Sequence, residues 1–236
     1  MESKNVKRVS TYIKGFDILI DGGFPIDSNI LISGVAGTGK TIFCLNFAYN
    51  TIIKGKQKVV YFTFEEKKEA LYMQAAMFGW DLKDLEKKNK LLIISLGKEM
   101  VEKSSFKDLI EIVKSTESTR VILDSLTTLT YLFPHKESLV GNYEASVENF
   151  LYDLITEFQS LENVSALFIS QENKELINRT AEYLCDGIIN IKHQILGSSF
   201  NKNISIKKMR STNNDDNLHP MEISKEGIIV HSQYDG

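Results

Sequence analysis

Five short apolar runs punctuate the chain: Asn29–Ser33, Val59–Phe64, Leu91–Ser95, Arg120–Leu123 with Asp124 behind it, and Val164–Ser170. Both alternating faces of each run are apolar, the pattern of strands in a parallel sheet covered by helices on both sides. Their shortness and β-branched content favour strands over buried pieces of helix. Amphipathic segments lie between them: Thr41–Ile53, Lys67–Phe78, Phe106–Thr116 and Gly141–Leu161. The last carries Tyr143, Val147, Phe150, Leu151, Leu154, Phe158 and Leu161 at helical spacing, an apolar stripe that reads as core. Strands alternating with helices predict right-handed βαβ crossovers and an α/β fold with a mainly parallel sheet. Towards the C-terminus the pattern changes. Ile188–Lys192, Ile204–Met209, Met221–Ser224 and Ile228–His231 read as short strands with polar turns between them, antiparallel additions at one edge of the sheet.

Composition narrows the field further. The chain has 236 residues, 42% apolar and 25% charged, with a formal net charge of −3. That length predicts one domain, residues 1–236. Mild acidity argues against a dedicated nucleic-acid binder. Cys44 and Cys185 give neither a disulfide framework nor a metal quartet, and fit a reducing compartment. No stretch approaches the ~20 apolar residues of a membrane span, and no apolar signal core follows the charged segment Met1–Arg8. The expectation is a cytoplasmic protein.

The most specific chemistry is Gly34-Val35-Ala36-Gly37-Thr38-Gly39-Lys40-Thr41, which fits G-x-x-x-x-G-K-[ST] without a departure. It follows a predicted strand and opens a predicted helix. The glycines let backbone N–H groups approach phosphate oxygens, and the helix N-terminus favours negative charge. Lys40 can reach β- and γ-phosphates, and the Thr41 hydroxyl can ligate Mg²⁺. Val121-Ile122-Leu123-Asp124 is an apolar strand ending in a carboxylate, the usual carrier of a second Mg²⁺ contact, with Ser125 beside it. Glu65 and Glu66 end the second apolar run on the same edge. One of two adjacent carboxylates can address an attacking water while the other faces away. Equally, both can be acidic residues opening the next helix, where the dipole favours them.

Further phrases carry a resemblance. Gly15-Phe16-Asp17, Asp21-Gly22-Gly23-Phe24-Pro25, the phosphate loop, Phe78-Gly79-Trp80-Asp81-Leu82 with Lys90-Leu91, Lys208-Met209-Arg210 and Leu218-His219-Pro220-Met221-Glu222-Ile223 occur in order along the chain. Together, from about Val9 to Val230, they resemble one domain of the KaiC-type ATPases of the RecA superfamily. The resemblance implies a RecA-like P-loop NTPase core, ATP with Mg²⁺, slow hydrolysis, and a homo-oligomeric ring, usually a hexamer. It puts the family's paired catalytic glutamates on Glu65 and Glu66, with Glu65 as the general base or water-orienting group. It makes Lys208 and Arg210 cations that reach the γ-phosphate held by a neighbouring subunit. Without it, the same segment reads as a basic edge strand that discourages aggregation. Ser211 stands where the family usually has Gly. The clock-type phosphorylation position falls on Glu182-Tyr183, with Thr180 nearby but unmatched, so autophosphorylation there is not expected.

Two other readings share this core. A DNA-binding recombinase paralogue needs mobile basic loops, and the candidate loop Gly197–Asn203 offers only Lys202. A nucleotide-gated scaffold differs in turnover rather than fold, and Glu65 with the Lys-Met-Arg segment argues for intact hydrolytic machinery. The purpose implied is regulatory, with a protein partner that the residues do not name. Of the remaining polar residues, Trp80 reads as a packing anchor, and His135, His193, His219 and His231 as dispersed side chains rather than metal ligands.

Overall fold

A computed structural model describes residues 6–97, 106–132, 143–172, 175–196 and 199–232. His135, Gly141, Asn142, Gly197 and Ser198 lie outside the described residues. The chain opens with a two-stranded antiparallel pair, β1 (Arg8–Val9) and β2 (Phe24–Pro25), around a 3₁₀ turn at Asp17–Ile20. The predicted strands follow as β3 (Asn29–Gly34), β4 (Val59–Thr63), β5 (Leu91–Ser95), β6 (Arg120–Asp124) and β7 (Ser165–Gln171). The C-terminal strands are β8 (Gly187–Leu196), β9 (Ser199–Met209), β10 (His219–Ser224) and β11 (Gly227–Val230). The sheet runs β11-β10-β9-β8-β3-β7-β6-β4-β5.

Two expectations need correction. Ile188–Lys192 belongs to β8, which pairs parallel with β3 from Ile30↔Gly187 to Ser33↔Asn190, so the antiparallel addition starts only at β9. The apolar row Ile188, Ile189 and Ile191 is buried between β3 and β9, and burial on both faces suits a parallel partner. The supposed basic loop is also mostly strand. Ser199–Asn203 pairs with Lys192–Leu196 as the tip of the β8–β9 hairpin.

Helices α1 (Lys40–Ile53), α2 (Lys68–Ala76) and α3 (Leu82–Lys87) cover one face, and their apolar side chains share a core with Tyr61, Ile122, Leu167 and Ile189. The other face holds α4 (Phe106–Thr116), α5 (Leu126–Leu132), α6 (Tyr143–Gln159) and α7 (Glu175–Leu184) against Val60, Phe62, Val121 and Phe168. The short helices α3 and α5 carry too few periodic residues to stand out in the sequence, and α7, though amphipathic, is not among the predicted segments. Among the described residues no helix is long and apolar enough to cross a membrane.

Several of the recognised phrases prove to be structural joints. Asp17 accepts hydrogen bonds from the Thr11 N–H (2.9 Å), the Thr11 hydroxyl (2.6 Å) and the Tyr12 N–H (3.0 Å), knotting the N-terminal segment. Phe16 sits edge-on to Phe24 and Phe43, joining that knot to α1. A Cβ on Gly15 would lie 1.8 Å from the Val230 carbonyl oxygen, so only glycine lets this segment meet β11. Gly79, at φ +72°, turns the chain out of α2. Trp80 then stacks on Phe78 and Tyr49, with ring centroids 4.6 and 5.6 Å apart. It is 4% exposed, a packing anchor. Asp81 caps α3 by accepting the Asp84 N–H at 3.0 Å.

Candidate active site

In an open parallel sheet, ligands bind beyond the carboxyl ends of the strands, where the chain order reverses. Here β3 leaves towards β4, but β7 and β6 lie between them, so the end of β3 is where such a site is expected. The phosphate-loop segment leaves the end of β3 and enters α1 at Lys40. Its first glycine is packed against β8, since a Cβ on Gly34 would stand 2.2 Å from the Ile191 carbonyl oxygen. Gly39 precedes the helix at φ +103°, a conformation that L side chains rarely adopt. Thr38 is buried and donates to the Val35 carbonyl oxygen at 2.9 Å, holding the loop closed on itself.

Lys40 folds back under this loop, where its Nζ donates to the carbonyl oxygens of Gly34 and Val35, both at 2.8 Å. Burial lowers its pKa below the ordinary lysine value, opposed by the negative charges of Asp124 and Glu65. Thr41 donates to Asp124 Oδ2 at 3.0 Å. The same oxygen accepts the Tyr61 phenol at 2.7 Å. Burial pushes the Asp124 carboxyl up to about 6, against the two hydrogen bonds that favour its charged form, with Glu65 and Glu66 pushing further upward. At pH 7 the carboxylate is still the main form. Burial, then the charge of Asp124, raises the Tyr61 phenol well above its usual range, so it stays a neutral donor.

Glu65 and Glu66 part company after β4. Glu65 Oε1 accepts the hydroxyls of Ser125 and Thr128, the latter at 2.6 Å, which turns it towards the Asp124 side. Glu66 turns back over α2, where its Oε2 accepts Gln74 Nε2 at 2.6 Å. The divergence follows from the backbone: the Glu66 N–H donates to the Thr63 hydroxyl at 3.1 Å, in a tight turn at the strand end. Lys40, Thr41, Asp124 and Glu65 therefore meet at one end of the sheet, and Glu66 faces out of that group.

Lys208 and Arg210 lie elsewhere. Met209 pairs with Gly187, and Gly187 with Ile30, so both cations sit at the opposite end of the sheet from Gly34. Four residues of strand separate the two levels, about 13 Å along the strand direction. Lys208 Nζ donates to the carbonyl oxygens of Cys185 (2.7 Å) and Glu182 (2.9 Å), and Arg210 Nη1 to Asp186 Oδ1 (3.0 Å). Burial lowers the Lys208 pKa, and the Arg210 charge lowers it further.

Sequence reasoning passed over Tyr61, Thr128 and Asn190, whereas Glu172 reads from the sequence either as a strand-end sensor of the γ-phosphate or as ordinary strand-end polarity. Tyr61 lies mid-strand in an apolar run, and its only signal is that a buried phenol needs a partner. Thr128 follows Ser125 by three residues, the spacing that puts two hydroxyls on one side of a helical turn. Behind the loop, Asn190 donates to the Ser33 hydroxyl at 3.2 Å and to Glu172 at 3.4 Å, and Glu172 also pairs with Lys192 at 2.9 Å.

Comparison with known proteins places this geometry. A family model described as "ATPase: KaiC" matches residues 9–235. The chain belongs to the KaiC family. It is 30% identical to the circadian clock oscillator protein KaiC of Synechococcus elongatus over 97% of this chain and 45% of that protein. It is also 30% identical to a UPF0273 protein of Thermotoga maritima, over 98% of both. The crystal structure of a KaiC-like protein from Pyrococcus horikoshii OT3 superposes with a TM-score of 0.83 at 27% identity, covering 96% of this chain and all of that one. The chain thus spans about half the length of the clock proteins it matches and nearly all of the UPF0273 relative. The fold is the RecA-like α/β fold of the KaiC-like proteins, with its mixed sheet flanked by helices. Nucleotide binding and ATPase chemistry are the general properties of this KaiC-like family.

Proposed function

We propose that residues 1–236 act as a single KaiC-like ATPase domain in the cytoplasm, binding ATP with Mg²⁺ and hydrolysing it slowly. The observation that carries this is the convergence of Lys40, Thr41, Asp124 and Glu65 beyond the ends of β3, β6 and β4. The N–H groups of Gly34–Thr41 cradle the phosphates, and Lys40 exchanges two carbonyl oxygens for β- and γ-phosphate oxygens. A hydroxyl and a buried carboxylate oxygen, already 3.0 Å apart, are the hard donors that suit Mg²⁺. Bound there, the ion neutralises charge on the phosphates. Glu65 has one oxygen held by two hydroxyls and the other left for water. It orients that water and accepts its proton as the oxygen bonds to the γ-phosphorus and the bond to the ADP oxygen breaks. Glu66, paired with Gln74, supports the strand end rather than the water.

Lys208 and Arg210 cannot serve their own phosphate loop from the far end of the sheet. In a head-to-tail homo-oligomer they reach the neighbour's, and such an interface closes into a ring, here a hexamer. Nucleotide state would then govern assembly and the exposure of a surface for a regulatory protein partner. The direct test is ATP turnover per protomer as protein concentration rises with Mg²⁺ present. A specific rate that climbs and then saturates is expected. A flat, nonzero rate down to concentrations where the protein is monomeric would refute the shared site, and tight ATP binding with no turnover would favour a scaffold.

Two further expectations arise from the same geometry. Tyr61→Phe removes a donor from the carboxylate assigned to Mg²⁺, and should weaken Mg²⁺-dependent nucleotide binding about tenfold. Binding of a fluorescent nucleotide, titrated with and without Mg²⁺, reads this; an equal loss in both conditions would mean that the phenol serves only the core. Incubation with ATP should leave Thr180 and Tyr183 unlabelled in phosphopeptide mapping, and stoichiometric phosphate on either would restore clock-type autophosphorylation. Thr180 turns its hydroxyl onto the Leu176 carbonyl oxygen at 3.0 Å, within its own helix.

A further inference from the structure

Asp186 has two carboxylate oxygens with two different tasks. Oδ1 accepts Arg210 Nη1 at 3.0 Å, and Oδ2 accepts the Asn29 N–H, also at 3.0 Å. The backbone of the same residue repeats both links: its N–H donates to the Asn29 carbonyl oxygen at 2.8 Å, and its carbonyl oxygen accepts the Arg210 N–H at 2.9 Å. Arg210 Nη2 adds a bond to the Tyr183 carbonyl oxygen at 3.3 Å, so the guanidinium plane is fixed at two of its corners. Its side chain remains about half exposed, and a guanidinium has five N–H donors, so donors remain for an incoming phosphate.

A β-bulge makes this possible. Ile188 faces Lys208, but Ile189 faces Ile206, so Lys207 is an extra residue in β9. Strict alternation from buried Ile206 would aim Lys208 and Arg210 at the α1 face. The inserted residue reverses the phase, burying Met209 and turning both cations towards the end of α7.

We infer that Asp186 is a positioning residue that aims Arg210 at the nucleotide of the adjacent subunit and ties that aim to β3, the strand that carries the chain's own phosphate loop. The inference rests on the trans role proposed for Arg210. It also supplies a physical link between consecutive sites in the ring. Asn29 starts β3 and Gly34 ends it, so the Asn29–Asp186 bonds join the strand that carries the phosphate loop to the guanidinium serving the next site.

The test is subunit mixing. Asp186→Asn keeps an acceptor for the Asn29 N–H but removes the charge facing Arg210. Alone it should bind ATP normally and lose about tenfold to a hundredfold in turnover. Mixed in equal amounts with Lys40→Ala, whose site is dead but whose Arg210 mount is intact, it should regain about a quarter of wild-type activity, the share of sites that pair at random in a head-to-tail ring. A defect confined to the variant's own site or fold would not be rescued. Arg210→Ala mixed with Lys40→Ala is the reference. If that pair regains activity and the Asp186→Asn pair does not, the positioning role is overturned while the trans reading stands. If neither pair regains activity, the trans reading fails and takes this inference with it. Wild-type turnover by Asp186→Asn alone would also overturn it. Should the asparagine variant not fold, Asp186→Glu keeps the charge but displaces it by one methylene, with the same expected loss and rescue.

Discussion

Glu65→Gln is expected to lower ATP turnover by about 10² to 10⁴-fold, the usual worth of a positioned general base, while ATP still binds. The amide keeps an oxygen to accept the Ser125 and Thr128 hydroxyls, so the strand end should hold its shape. What disappears is the negative charge that draws the proton from water. Glu66→Gln is the internal control, because that side chain is engaged with Gln74 over α2 and should change turnover little. Single-turnover hydrolysis of bound ATP separates the two. A larger loss from Glu66→Gln than from Glu65→Gln would exchange their assigned roles and mean that the loop after β4 rearranges when nucleotide binds.

Arg210→Ala should have a still larger effect, about 10³ to 10⁵-fold on turnover, the range for an arginine supplied in trans to a developing phosphoryl charge. Binding of ATP to the protomer's own loop should be almost unchanged, because Arg210 lies at the far end of the sheet from Lys40. Assembly measured by sedimentation should persist, since the variant loses donors rather than packing. Arg210→Lys should recover only part of the rate, because an ammonium cannot hold Asp186 and the Tyr183 carbonyl in one plane while still addressing a phosphate. A modest, equal loss in both variants, together with weakened ATP binding, would place Arg210 in the fold rather than in the neighbour's site.

Local signals carried much of the architecture. The runs at 29–33, 59–64, 91–95, 120–124 and 164–170 are each a strand of the parallel sheet, to within a residue or so at each end. Short, doubly apolar segments have few other ways to be buried. The segment Gly34–Thr41 has a spacing that only a strand-to-helix turn accommodates, and it occupies one. The weaker phrases at 15–17, 78–82 and 208–210 marked the family, but their physical meaning as a knot, a packing anchor and a pair of mounted cations was not readable from the string.

Three matters were decided by tertiary structure alone. The direction of β8 depended on which neighbour it found, because a buried isoleucine row suits either orientation until β3 is beside it. The divergence of Glu65 from Glu66 starts in the turn at Thr63, but what Glu65 meets, the hydroxyls of Ser125 and Thr128, comes from some sixty residues away. The facing of Lys208 and Arg210 depended on one inserted residue, Lys207, which no alternation rule can anticipate because it is the exception to alternation. By itself the sequence determined which segments are buried, where phosphate can be held, and which side chains have the right chemistry. The tertiary structure decided which of those side chains meet, because distance in space is set by strand order and register, and neither is a local property of the chain.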